Sequence, residues 1–122
     1  MTPRITIADD NRETLLIVEH TLQRAFPNAR LVSFQAPRAA FEHIQTQGTD
    51  VIVTNHGMSV MSGTDLTKIL RAHVRIPIIM ISNNPDARSE AIEAGADHFV
   101  DKAHIDRLPA VVRSYLGRAT DM

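Results

Sequence analysis

The chain contains no cysteine and no tryptophan. Without thiolates, disulfide frameworks, zinc–thiolate centres, iron–sulfur clusters and cysteine nucleophiles are excluded. Long apolar runs are missing as well. Nothing approaches the roughly 20 residues of a membrane-spanning helix, and Met1-Thr2-Pro3-Arg4 has no signal-peptide core. Charge of one sign is scarce: 13 Lys and Arg stand against 14 Asp and Glu, a balance of -1. Bulk attraction to nucleic acid or to an anionic membrane is therefore not indicated. Glycine is sparse too, at five residues, and none falls in Asp9-Asp10-Asn11-Arg12, where a phosphate-cradling loop would need it. Ser62 and Ser82 lie outside any Gly-x-Ser-x-Gly elbow.

What remains is an ordinary globular composition. The 122 residues are 43% hydrophobic and 22% charged, which suits one domain over residues 1–122 and excludes a disordered chain. A cytoplasmic protein, or a domain from one, is expected.

The apolar runs alternate in kind. Ile5-Thr6-Ile7-Ala8 is short and β-branched and reads as a strand. Leu15, Val18, Leu22 and Phe26 recur at helical spacing, and Pro27-Asn28 ends that helix. Arg30 to Phe34 reads as a second strand. Pro37 opens a helix carrying Ala40, Phe41 and Ile44, which stops before Gly48. Val51-Ile52-Val53-Thr54 is apolar on both faces, as a strand covered on both sides must be. Ser62-Gly63-Thr64-Asp65 resembles a capping box before Leu66, Ile69 and Leu70. Pro77 to Ile81 is a fourth strand. Asn84-Pro85 caps and starts a helix with Ala87, Ala91 and Ala94, closed by Gly95. His98-Phe99-Val100 is a fifth strand. Asp106 is placed as the cap of a last helix with Pro109 in its first turn.

The pattern is strand–helix five times over. Strands joined by helices run parallel with right-handed crossovers. The expected fold class is α/β: a (βα)5 flavodoxin-like three-layer sandwich around a five-stranded parallel sheet. Ligands of such sheets bind beyond the carboxyl ends of the strands, at the switch in strand order. Asp9 and Asp10, Asn55, Ser82 and Lys102 stand at those ends. Adjacent carboxylates suit a hard divalent cation, or simply a solvated turn in which Asp10 or Asn11 caps a helix. A hydroxyl and an ammonium would hold an anion between them. Lys102 is one of only two lysines, against eleven arginines.

Four pieces, in order, carry a resemblance: Ile5 to Asp10; Asp50 to Asn55 with Met58, Met61-Ser62-Gly63 and Leu66; Pro77 to Ser82; and Gly95 to Lys102. The chain resembles a response-regulator receiver domain, the phosphoacceptor module of two-component signalling, from Ile5 to about Leu116. The resemblance implies that Asp9, Asp10 and the carbonyl of Gly57 hold Mg2+. It implies that Ser82 and Lys102 contact the phosphoryl group and that the Phe99 rotamer reports the state of Ser82. It also implies a histidine kinase or phosphotransfer protein as partner. An output domain or a homodimer would meet the face of helix four, strand five and helix five, here including Arg88, Asp97, Asp101 and Arg113.

The phosphoacceptor position holds Asn55 instead of Asp. A carboxamide oxygen is a poor nucleophile and gives no stable acyl phosphate. It also removes two charge pairings with Asp9 and Asp10, each worth roughly 3 kcal/mol at about 5 Å and an effective dielectric of 20. Mg2+ binding is expected to be weakened or lost. Ser59 and Ala103 stand where the family commonly has proline, and His56-Gly57 is unusual before Met58. A trans Lys102–Ala103 bond is expected. This drift favours a natural pseudo-receiver over an engineered Asp-to-Asn change. His56 is placed either to gate the site or to bond Asn55, or as a plain loop residue. Met58 and Met61 are read as loop packing. No catalytic residue is assigned; a small flavodoxin-like enzyme or nucleotide-binding protein is the alternative.

Overall fold

The structure is a computed structural model that describes residues 2–120. Five parallel strands form one sheet: β1 (Arg4–Ala8), β2 (Arg30–Phe34), β3 (Val51–Asn55), β4 (Ile78–Ser82) and β5 (His98–Asp101). Their order is β2-β1-β3-β4-β5, so the connection reverses direction beside β1 and β3. The helices are α1 (Arg12–Ala25), α2 (Pro37–Gln47), α3 (Gly63–His73), α4 (Arg88–Ala94) and α5 (Leu108–Thr120). The α/β sandwich expected from the alternation is the one observed.

Strand alternation sorts the core into two layers. Ile5, Ile7, Val51, Val53, Ile79, Ile81 and Val100 meet Leu15, Val18, Leu22, Leu108 and Val112 from α1 and α5. Their neighbours Ile52, Ile78, Met80 and Phe99 meet Ala40, Ile44, Leu66, Leu70 and Ala91 from α2, α3 and α4. Residues of opposite parity are thus apolar on opposite faces, which is why these strands read as continuous apolar runs. A fully buried Leu or Ile contributes about 1.5–3 kcal/mol by leaving water. An exposed pair such as Arg38–Glu42 contributes on the order of 1 kcal/mol at most. The sandwich therefore holds the fold, and surface charge does not.

Local signals set the ends. The Asn11 side chain accepts from Thr14 N–H and starts α1, and Ser62 accepts from Asp65 N–H and starts α3. Gly95 closes α4 at φ 111°, a conformation that disfavours any side chain. Three expectations need correction. The helix expected from Asn84-Pro85 begins as a 3-10 turn at Pro85–Ala87 and becomes α-helical only at Arg88. Asp106 is not the cap of the last helix. It lies inside a 3-10 segment, Lys102–Arg107, whose capping side chain is Asp101, accepting from Ala103 N–H. The fourth strand starts at Ile78, and Pro77, which has no N–H to give the ladder, stays outside it. Pro109 does fall in the first turn of α5. All described peptide bonds are trans, Lys102–Ala103 included.

Gly63 fixes how closely α3 approaches the sheet. A Cβ there would lie 2.1 Å from the carbonyl oxygen of Asn55 and 3.0 Å from its carbon. Gly63 N–H also donates to the His56 carbonyl at 2.8 Å. Gly63→Ala must push α3 off the end of β3. We expect it to cost about 3 kcal/mol, the upper end of overpacking effects, as a lowered urea midpoint. An unchanged midpoint would show that the contact can yield.

Candidate functional site

The ends of β1, β3, β4 and β5 bring the expected residues to one edge of the sheet. Pairing Ala8 with Thr54 places Asp9 abreast of Asn55, and both share the parity of the α1/α5 face. Asn55 pairs with Ile81, and Ser82 pairs with Asp101, which precedes Lys102.

Asp9 is fully buried. Its Oδ1 accepts from Asn11 N–H at 3.0 Å, and its Oδ2 faces the Lys102 ammonium at 3.7 Å. Oδ2 accepts no hydrogen bond among the described residues. Burial raises the Asp9 pKa above the usual carboxylate range, opposed by the Asn11 N–H and by Lys102, with Asp10 adding to the rise. Asp10 is turned toward the β3–α3 loop: its Oδ2 accepts from both Ser59 N–H, at 2.8 Å, and Ser59 Oγ, at 3.0 Å. Asn55 is 6% exposed and donates from Nδ2 to the Gly57 carbonyl at 2.8 Å. Ser82 is buried, and its hydroxyl oxygen accepts from Asn84 N–H.

The sequence reading missed the partner of His56. Its Nε2 lies 3.0 Å from Glu90 Oε2 on α4, and the other Glu90 oxygen accepts from Thr64 Oγ1 at the start of α3. The His56 contact, then Thr64, lowers the Glu90 pKa. The imidazole therefore braces the loop against α4 and does not bond Asn55. The 34-residue separation hid this pair, although both residues were visible as polar types. Met58 is buried and Met61 packs beside it, as read.

Phe99 is 2% exposed and lies under the Arg88 guanidinium, 5.2 Å from the ring centre. Beside it a cleft of about 220 Å³ is lined by Arg88, Asp101, His104 and Arg107. Two charges expected on this face are engaged elsewhere. Asp97 binds Arg71 and Ile78 N–H, and Arg113 stacks over Phe26.

These donors are of the right class for Mg2+, which takes oxygen ligands in near-octahedral array. Their orientation is not. The Gly57 carbonyl is met by an N–H, Asp10 Oδ2 by two donors, and Asp9 Oδ2 by an ammonium. A divalent cation would have to displace these partners to reach the three oxygens.

Comparison with known proteins agrees with this geometry. Residues 5–113 match the family model described as the response regulator receiver domain. The chain is a response-regulator receiver domain. It is 32% identical over 119 residues to the sensory transduction protein RegX3 of Mycolicibacterium smegmatis, covering 88% of this chain and 52% of that protein. A protein-glutamate methylesterase/protein-glutamine glutaminase of Rhodopseudomonas palustris is 32% identical over 116 residues, covering 91% of this chain and 32% of that protein. The chain thus spans about half or less of these relatives. Among solved structures, a Francisella response regulator receiver domain superposes with a TM-score of 0.85 at 25% identity, covering 96% of this chain and 98% of that one. The chemotaxis response regulator CheY4 of Vibrio cholerae gives 0.78 at 25% identity, covering 98% and 99%. No described helix is long and apolar enough to cross a membrane.

The raised Asp9 pKa has a sign that can be tested. The folded state holds the Asp9 proton to higher pH than the unfolded chain does. The stability this contributes is complete below the unfolded pKa and is lost as pH rises through the folded one. Ionising the buried carboxylate therefore costs stability as pH rises. Asp9→Asn is expected to raise Tm at pH 7 on the order of 3 °C. The gain should shrink as pH falls into the range where Asp9 is protonated. An equal or lower Tm at pH 7 would mean that the Lys102 pair outweighs burial.

Proposed function

We propose that residues 1–122 form a single receiver-type signalling domain that works through protein–protein contact, without catalysis and without accepting a phosphoryl group at Asn55. The observation that carries this reading is Asn55 itself, at the end of β3, with its amide turned to the Gly57 carbonyl. A carboxylate there would attack a phosphohistidine, and the carboxamide does not.

Receiver domains typically bind Mg2+ at their phosphorylation site and interact with histidine kinases or phosphotransfer proteins. In this reading a kinase or phosphotransfer protein still docks, while Mg2+ is weakly held or dispensable. Asp9, Asp10 and Gly57 keep the positions of cation ligands; Ser82, Lys102 and Phe99 keep those of phosphoryl contact and switch. The outgoing contact, to an output domain or to a second copy, uses α4, β5 and α5 beside Phe99 and Arg88. Ser59, His56 and Ala103 accompany Asn55 as departures from the family pattern, which supports a natural pseudo-receiver. Membership of the receiver family supports action in the cytoplasm.

Intact mass after treatment with acetyl phosphate and saturating Mg2+ tests the reading. The chain as written is expected to gain no phosphoryl group, and Asn55→Asp is expected to gain one. An adduct on the unmodified chain would reveal another acceptor. No adduct on Asn55→Asp would mean that the surrounding residues no longer support transfer.

A further inference from the structure

We propose that Ser59 is a positioning residue that holds Asp10 to the β3–α3 loop as a bound cation would, and so acts as a brake on cation binding. The inference rests on the receiver reading above and concerns its regulation. Ser59 offers two donors, backbone N–H and side-chain hydroxyl, and both reach the same Asp10 oxygen, at 2.8 and 3.0 Å. Two donors converging on one carboxylate oxygen fix the orientation of that carboxylate. A proline at this position would have neither donor.

Geometry gives the pair its effect. A cation shared by Asp10 and the Gly57 carbonyl would tie the end of β1 to the loop after β3. Here the same two elements are already tied, by Ser59 to Asp10, while Asn55 Nδ2 occupies the Gly57 carbonyl. The two latches are 49 and 2 residues apart in sequence and meet different ligands. Removing one therefore leaves the other. With Asn55 alone changed to Asp, the carbonyl is released but Asp10 is still held. A cation must then compete with Ser59 for the orientation of that carboxylate.

The test is a MgCl2 titration followed by thermal unfolding on the full chain. The chain as written and Ser59→Ala are expected to show no rise in Tm with Mg2+, since Asn55 closes the carbonyl in both. Asn55→Asp is expected to show a rise. The double variant N55D/S59A is expected to reach half-maximal rise at about tenfold lower Mg2+, the equivalent of 1.4 kcal/mol. N55D/S59P, which loses both donors, is expected to shift at least as far. Equal Mg2+ midpoints for N55D, N55D/S59A and N55D/S59P would overturn the proposal and leave the receiver reading intact. A Mg2+ response in the chain as written would overturn the closure by Asn55. No response in any variant would overturn both the proposal and the receiver reading of this site.

Discussion

A carboxylate buried at the mouth of a parallel sheet must be answered by something positive, and Lys102 answers Asp9 at 3.7 Å. That requirement orders the rest of the site. Lys102 begins the 3-10 segment after β5, so the pair draws the β5 end toward β1 across β3 and β4. Asp10, the next carboxylate, is left to face the loop, where Ser59 supplies two donors. Between them Asn55 contributes polarity without charge. The corner carries two acids and one ammonium, not three acids and one ammonium. The repulsion that a third carboxylate would bring is absent, and the loop can close on itself with hydrogen bonds alone.

The closure extends beyond the corner. His56 reaches Glu90 on α4, and Glu90 reaches Thr64 on α3. Gly63 lets α3 start in contact with the backbone of Asn55. Phe99, below α4, is packed inward with Arg88 over its ring. The β3–α3 loop, α3 and α4 are thus joined by side chains of this particular chain as well as by the shared fold. Asn55 bonds the loop to itself, Ser59 bonds it to Asp10, and His56 bonds it to α4.

Most of the fold was legible because the third strand is apolar on both faces, as a strand covered on both sides must be, and because helices separate the strands. The site's membership followed from the rule that ligands sit at strand ends, and the receiver resemblance assigned roles to those ends. What escaped was of two kinds. The first is the choice between 3-10 and α geometry at Pro85 and at Lys102–Arg107. Asp106 and Asp101 are equally good caps by composition, and only the path of the chain leaving β5 selects Asp101. The second is long-range side-chain pairing. Ser59 was noticed as a missing proline and His56 as an odd loop residue, yet their partners lie 49 and 34 residues away. Periodicity and capping rules operate within a few residues and carry no information about such pairs.

The central claim is that the Asn55 amide, donating to the Gly57 carbonyl, closes the β3–α3 loop without a cation. Side-chain amide NMR of the 15N-labelled chain during a titration into tens of millimolar MgCl2 tests it most directly. The account predicts slowly exchanging Asn55 Nδ2 protons whose resonances do not move beyond the change seen with an equal ionic strength of NaCl. Fast exchange before any salt is added, or a saturable shift specific to Mg2+, would contradict it.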